Sequence, residues 1–520
     1  MCVNSFENAA KKRMTMQRIA AIDTGSNAIR LVVADLDENG QVQPIDNLRI
    51  PVRLGRDAFK DGILQEGTMQ QAIEAFRQFR KVIDDFGVAR VKAVATSAMR
   101  EAQNGPILID RIARASGIEL EIINGEEEAR LVHQAVTAVM DLADKNALLI
   151  DIGGGSIEIT LTRGNNILSV NSYPMGTVRL MQKLEWNQTS RNPIEFGQLV
   201  QEYVDAAAKR IRQEIGEERI DLCIGTGGNV EEIGKLRQRL FKKENDRAVR
   251  VDEMEKMIDR LSRMTFQERM RKFNLRPDRA DVILPALTVL RLVAQISNVE
   301  EIQIPNVGLK NGLLIDMALN ASQENPLPDH EQVVDSAIRL GKKYAFDVDH
   351  AAIVMRLSLR LFDQLQKYHR LDQEERMELE IAAILHDVGH FISTIDHDQH
   401  GYYILQANHI VGLTERQQMI IASIVRYHRR GTPFYDGLIE TKLVQKDRRI
   451  VMILTSILRL ADEMDASHTQ RVMDVLVSTT SEKTVLRLVG KGDLTLEKWA
   501  VSKRASLFTD LFGNPLEILA

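Results

Sequence analysis

Cysteine is scarce, occurring only at Cys2 and Cys223. Two thiols exclude a disulfide framework and a thiolate zinc cluster, and they fit a reducing, cytoplasmic location. Long hydrophobic runs are missing as well. The stretch Val282–Leu290 is only half of the roughly 18 residues that a membrane-spanning helix needs, so no membrane partner is expected. The first residues carry a basic cluster at Lys11–Arg13 with no apolar core behind it. They read as a flexible tail over 1–16 rather than a secretory signal, and Met14 or Met16 is an alternative start. An excess of one charge is absent too: 68 basic against 73 acidic residues leave a net charge of −5. No global field draws the chain to nucleic acid, so an anionic ligand must meet a local basic surface. No Gly-Lys-Ser/Thr occurs, which excludes a Walker phosphate loop.

The 520 residues, 44% apolar and 27% charged, predict about three to five folded domains. Histidine divides them unevenly. Only His133 precedes residue 330, and the other ten follow it. The turn-rich segment Asn320–Asp329 reads as the linker between a glycine-rich front and a histidine-rich back.

In the front part, Ile19–Ile22 ends in Asp23, Gly25 permits a turn, and Ile29, Leu31 and Val33 alternate after it. Leu148–Ile150, Asp151, Gly153-Gly154-Gly155-Ser156 and then Ile157, Ile159 and Leu161 repeat that plan about 128 positions later. Two copies of one hairpin predict a duplicated α/β fold with a cleft between its halves. Glycines free successive backbone N–H groups to face phosphate oxygens, Ser26 and Ser156 add hydroxyls, and an aspartate at each strand end suits Mg²⁺ or water. A third turn, Gly225-Thr-Gly-Gly-Asn229, follows another apolar strand. Glu126, Glu127 and Glu128 form a like-charge run at the start of a helix. The macrodipole explains the first two, whereas Glu128 begins the apolar side.

These turns resemble those of the actin-like ATPase superfamily. Asp23-Thr-Gly-Ser-Asn27 with Arg30-Leu31, Thr96-Ser-Ala-Met-Arg100-Glu-Ala102, Gly125-Glu-Glu-Glu-Ala-Arg130, Asp151-Ile-Gly-Gly-Gly-Ser-Ile-Glu158, Met175-Gly176 and Gly225-Thr-Gly-Gly228 together resemble the exopolyphosphatase / guanosine pentaphosphate phosphatase family over essentially the whole chain. The resemblance implies two duplicated actin-like, ribonuclease H-like domains (1–132 and 133–320). It also implies Mg²⁺-dependent hydrolysis of the terminal phosphoanhydride of inorganic polyphosphate or of pppGpp, and a homodimer. Glu128 would be the general base, with Asp151 and Glu158 orienting Mg²⁺ and water. Asp23, Gly25, Ser26, Asn27, Arg30, Gly154, Gly155, Ser156 and Gly227 would bind the terminal phosphate, and Arg100 an adjacent one. Gly308-Leu-Lys-Asn-Gly312 departs from the family, which has Arg-Glu at Lys310-Asn311. Lysine lacks the bidentate geometry of arginine, which puts a phosphate role for this loop in doubt.

Beyond residue 330 the three-and-four spacing predicts helices over 330–345, 349–367, 373–390, 415–428 and 448–464. An adjacent His-Asp pair with a histidine upstream and an aspartate downstream resembles the HD metal-phosphohydrolase domain, here over 329–469. The resemblance puts His350, His386, Asp387 and Asp462 in the ligand positions for a divalent ion (Mg, Mn, Zn or Fe), with His390, His400, His409 and His428 left for a second ion or for phosphate. Two readings stay open, a second active site and a domain that only roofs a polyphosphate channel; the pattern favours the roof. Arg429 and Arg430 are candidates to line that channel. Alternation over Val475–Val477, Thr484–Val489 and Leu494–Leu496, then a helix over Ala505–Phe512, predicts a small α+β unit at 470–520. The rival functions are pppGpp 5′-phosphohydrolysis in the same cleft, hydrolysis at the HD centre, a non-catalytic polyphosphate sensor, and an acceptor-dependent kinase.

Overall fold

In the computed structural model the described residues are 17–37, 40–184, 193–216, 219–319, 330–430, 443–480 and 482–520. The tail at 1–16 and the linker at 320–329 lie outside them. The chain divides into two compact units, Met1–Pro326 and Leu327–Ala520.

The first unit holds two sheets. β1 (Gln17–Thr24), β2 (Ile29–Leu36), β3 (Val42–Ile50), β4 (Arg90–Ala95) and β5 (Leu120–Ile122) form one, in the order β3-β2-β1-β4-β5. β6 (Asn146–Ile152), β7 (Ile157–Arg163), β8 (Asn166–Tyr173), β9 (Leu222–Thr226), β10 (Ala248–Arg250) and β11 (Glu301–Gln303) form the other, in the order β10-β11-β9-β6-β7-β8. Apart from the added edge strand β10, the second sheet repeats the first: an antiparallel meander of three strands, then two parallel neighbours. The duplication holds to the residue, since Thr24 pairs with Ile29 as Ile152 pairs with Ile157.

Alternation along β2 is only half of its pattern. Ile29, Leu31 and Val33 pack with Phe76 and Phe79 of the helix Glu66–Asp85. Val32, Ala34 and Leu36 pack on the opposite face with Leu131 of the helix Gly125–Thr137 and Leu313 of the helix Leu309–Leu319. Both faces are covered, as in sheets whose crossovers are helical. Cys223, on β9, is buried, and burial pushes its thiol up to about 12, so it is an inert core residue.

In the second unit, the helices His330–Lys343, Val348–His369, Gln373–Leu385, His397–Ala407, Glu415–Tyr427 and Gln445–Glu463 share one core. That core also takes Val472 and Val475 of β12 (Val472–Thr479), Leu486 and Leu488 of β13 (Thr484–Gly490), and Ile518 of β14 (Leu516–Leu519). The single helix expected over 373–390 is two elements. The α-helix stops at Leu385, and a 3-10 turn covers Val388–Phe391. Nδ1 of His386 bonds the Ala383 carbonyl at 2.8 Å, which turns the side chain back on its own helix end. The expected strand Leu494–Leu496 opens a helix, Thr495–Arg504, and the third strand comes later, at β14. No helix among the described residues is long and apolar enough to cross a membrane.

Candidate active site

Each glycine hairpin closes in the same way. The Gly25 N–H donates to the Ala28 carbonyl at 3.2 Å, and the Gly153 N–H donates to the Ser156 carbonyl at 3.1 Å. Both turns line one cleft of about 750 Å³, open solvent included. Asp23, Gly25, Ser26, Asn27, Arg30, Glu128, Asp151, Gly154, Ser156 and Gly227 are all in its wall. Two expected phosphate residues are not. A Cβ on Gly155 would lie 2.3 Å from both Phe59 Cζ and Ser97 Oγ, so this glycine serves the close packing of its turn against those two side chains. Arg100 donates to the Ile123 carbonyl, and its charge lowers the proton affinity of Glu128 and Glu158.

Asn124 caps the helix Gly125–Thr137, its side chain accepting from the Glu127 N–H at 2.8 Å. Glu127 pairs with Arg130 at 2.7 Å on the outside of that turn. One position further round the helix, Glu128 faces the core and is only 7% exposed. It meets Asp151 and Glu158 there, with carboxylate oxygens of all three within 4.8 Å of one another. Thr226 Oγ1 donates to Asp151 Oδ1 at 3.0 Å, and Ser172 Oγ donates to Glu158 Oε1 at 2.9 Å. Oε2 of Glu128 and of Glu158 are buried without a hydrogen-bond partner among the described residues.

Burial, and then Glu158 and Asp151, push the Glu128 carboxyl well above its usual range. Burial and then Asp151 push Glu158 up to about 7; burial pushes Asp151 up to about 6, against the Thr226 hydrogen bond. Three buried carboxyls with two orphaned oxygens form a hard oxygen donor set that a divalent cation such as Mg²⁺ satisfies.

Cations line another stretch of the wall. Arg30, Arg49, Arg279 and Lys310 all reach it. Burial, followed by repulsion from Arg30 and Arg49, lowers Arg279 to about 9, and its Nε is orphaned among the described residues. Crowded cations with unmet donors favour an anion beside them. The sequence reading noted 269–279 only as a basic run and assigned neither Arg49 nor Arg279 to this cleft; they come from a sheet edge and a short helix with no glycine motif beside them. Lys310 stands in the cleft wall, so its loop reaches the cleft despite its departure from the family pattern.

In the second unit, His350, His386 and Asp462 bring ligand atoms together. The two Nε2 atoms lie 3.3 Å apart, and they lie 3.3 and 3.5 Å from Asp462 Oδ1. Asp387 Oδ2 is 3.8 Å from His350 Nε2 and 3.6 Å from His386 Nε2. His428 also converges on Asp387, and so does His397, which the sequence reading had not singled out. His409 instead bonds the Leu413 carbonyl at 2.8 Å. His400 belongs to none of the converging groups among the described residues. Arg429 and Arg430 are exposed in this unit, and Arg430 lies 3.4 Å from Asp396.

Two duplicated meander sheets whose glycine hairpins face one cleft define actin-like ATPase-type α/β domains. A model of the Ppx/GppA phosphatase family matches residues 32–321, and a model of Ppx/GppA phosphatase domain III matches residues 334–500. The chain belongs to the Ppx/GppA phosphatase family, and it is a hydrolase of the class that acts on phosphoanhydrides. Phosphatases of this family are generally dependent on a divalent metal. The chain is similar to the solved Ppx/GppA family member of Aquifex aeolicus: 26% identity, TM-score 0.51, 60% of this chain and 100% of that one. It is also similar to an exopolyphosphatase from Cytophaga hutchinsonii: 26% identity, TM-score 0.55, 58% of this chain and 98% of that one.

Proposed function

We propose that this phosphatase is an exopolyphosphatase that removes the terminal phosphate of inorganic polyphosphate, with Glu128 as general base. The observation that carries the reading is that Glu128 and Asp151 stand in the wall of a cleft lined by both glycine hairpins and meet the buried Glu158 behind it. The backbone N–H groups and hydroxyls of the turns hold the terminal phosphoryl oxygens, and Arg30, Arg49, Arg279 and Lys310 hold the rest of the chain. Glu128 takes a proton from water as its oxygen bonds to the end phosphorus. The bond to the penultimate phosphate breaks, and orthophosphate leaves. Raised proton affinity suits Glu128 to that work. Mg²⁺, held through Asp151 and Glu158, would offset the charge on the transferring phosphoryl group.

The second unit fits an HD-type site in which His350, His386, Asp387 and Asp462 hold one divalent ion, because their ligand atoms already converge. Arg429 and Arg430 are proposed to contact the polyphosphate chain, and the protein to act as a homodimer in the cytoplasm.

The deciding experiment is a competition assay of the purified protein on long polyphosphate and on pppGpp, reading orthophosphate with and without Mg²⁺. Faster release from polyphosphate supports the reading. Preference for pppGpp moves the substrate to a guanosine nucleotide in the same cleft, and no release from either overturns both.

A further inference from the structure

The second glycine turn is held from behind by one short helix, Thr177–Lys183, and its cap Gly176. All three glycine carbonyls of the turn accept from this element. The Gly153 carbonyl takes the Thr177 N–H at 3.1 Å, the Gly154 carbonyl takes the Val178 and Arg179 N–H groups at 2.8 and 3.1 Å, and the Gly155 carbonyl takes the Gly176 N–H at 3.2 Å. The first N–H groups of a helix have no partner within it, and here the turn supplies their acceptors. A Cβ at Gly176 would lie 2.3 Å from the carbonyl carbon of Gly155 and 2.4 Å from that of Gly154, so only glycine lets the helix start this close.

The consequence falls on the other side of the turn. In a trans peptide the C=O and the following N–H point in opposite directions. With the three carbonyls drawn toward the helix, the N–H groups of Gly154, Gly155 and Ser156 face away from it, and Gly154 and Ser156 line the cleft. A phosphate there meets backbone donors with the carbonyl oxygens turned away.

Arg179 extends this hold. Its Nε donates to the Gly155 carbonyl at 2.6 Å, its Nη1 donates to Glu101 Oε2 at 2.8 Å and its Nη2 to Glu101 Oε1, and its Cζ stands 4.0 Å from the centre of the Phe59 ring. Glu101 ends the helix Ser97–Glu101, which follows β4 of the first sheet. Phe59 belongs to the helix Leu54–Asp61, whose Gly55 N–H donates to the Ser26 carbonyl of the first turn at 2.8 Å. One guanidinium therefore ties the second turn to the helix that holds the first. A two-pronged carboxylate contact with an aromatic ring on one face is a geometry that lysine cannot copy. Neither Arg179 nor Glu101 is in the cleft wall.

We propose that Arg179 is a positioning residue for phosphoryl transfer. Clamped by Glu101 and Phe59, it fixes the Gly155 carbonyl and so keeps the Ser156 N–H aimed at the terminal phosphate. Arg179 acts through the turn and does not touch the substrate. The proposal rests on the reading that the glycine turns hold the terminal phosphoryl group, and it adds what keeps their donors in place.

Three variants test it: Arg179→Ala, Arg179→Lys and Glu101→Gln. Orthovanadate, which takes the five-coordinate shape of a transferring phosphoryl group, probes the terminal position, and calorimetry with long polyphosphate probes the rest of the chain. Misplacing a reacting group by about 1 Å costs about 10²-fold, so Arg179→Ala is expected to lower kcat for orthophosphate release by about 10- to 100-fold. Orthovanadate inhibition should weaken by a similar factor. Binding of long polyphosphate, held mainly through Arg30, Arg49, Arg279 and Lys310, should stay nearly unchanged. Arg179→Lys keeps the charge and is expected to recover little; full recovery would make the residue a source of charge alone and overturns the proposal. The Glu101 side chain is 42% exposed, so Glu101→Gln is expected to fold and to show the same split in smaller measure. It decides the matter if Arg179→Ala does not fold. Unchanged kcat and unchanged orthovanadate inhibition in a folded variant overturn the proposal, whether or not the melting temperature falls. Orthophosphate release by the unaltered chain is assayed in parallel, and none from either polyphosphate or pppGpp overturns the reading of the cleft itself.

Discussion

Glu128 and Glu158 hold carboxylate oxygens within 4.8 Å of each other and of Asp151, and each keeps an Oε2 that is buried and unpartnered among the described residues. One comes from the first turn of a helix, the other from β7 of the second sheet. Like charges this close and this dry persist only when a proton or a cation shares the space. The relationship makes the cleft a place for metal and activated water rather than a rigid packing of acids.

Removing the ionisable oxygen at Glu128 while keeping its shape separates binding from turnover. Glu128→Gln is expected to lower kcat for orthophosphate release by about 10²- to 10⁴-fold, the usual contribution of a positioned base. Polyphosphate binding, measured by calorimetry, should persist. Undiminished turnover would remove Glu128 from the role.

Gly227 couples two constraints, a φ of +89° and contact with the acidic group. A Cβ there would stand 2.6 Å from Asp151 Oδ1. Gly227→Ala is expected to cost about 1–3 kcal/mol of stability from backbone strain and to displace Asp151. A lowered melting temperature and a weakened Mg²⁺ dependence of phosphate release check it.

Lys310 is half-buried in the cleft wall, and burial lowers its ammonium pKa. Losing a charged donor to phosphate costs about 1.5–3 kcal/mol, so Lys310→Ala is expected to raise KM for polyphosphate about tenfold or more with kcat largely kept. Titrating KM against salt should give a shallower dependence in the variant.

Glu378 lies in the core of the second unit with neither carboxyl oxygen hydrogen-bonded among the described residues and Arg416 no nearer than 3.8 Å, and burial, then Glu374, pushes its carboxyl from 4.5 up to about 9. Between those values the unfolded chain has released a proton that the folded chain keeps. Stability linked to this group is therefore complete below the unfolded value and is lost as pH rises toward the folded one. Glu378→Gln does not titrate. It is expected to melt above the unaltered protein near pH 8, by the equivalent of about 1–3 kcal/mol, and to match it near pH 5.

Much of the cleft was legible along the chain because its parts are local. A glycine turn after an apolar strand needs only a few consecutive residues, and the 128-position repeat predicts a duplicated fold with a cleft between its halves. Lys310, Arg49 and Arg279 were not legible as a group. Each is an ordinary basic residue in its own segment, and only the crossing of a sheet edge, a short helix and a late loop makes them neighbours. His397 was hidden for a related reason. Its partner Asp387 sits where a helix was expected to continue, and the break at Leu385 is what turns Asp387 toward a helix that Gly389, with no Cβ to meet the His397 carbonyl, lets close in.

By itself the sequence determined the duplicated α/β plan, the paired glycine turns and the helical histidine-rich half, because periodicity and turn chemistry act over a few residues; the acidic trio was implied by the family resemblance of its motifs. Tertiary structure alone decided which buried oxygens go without partners, which arginines crowd one wall and which imidazoles share Asp387. Those are matters of distance between segments far apart in the chain, and desolvation and charge act through distance, not through order along the backbone.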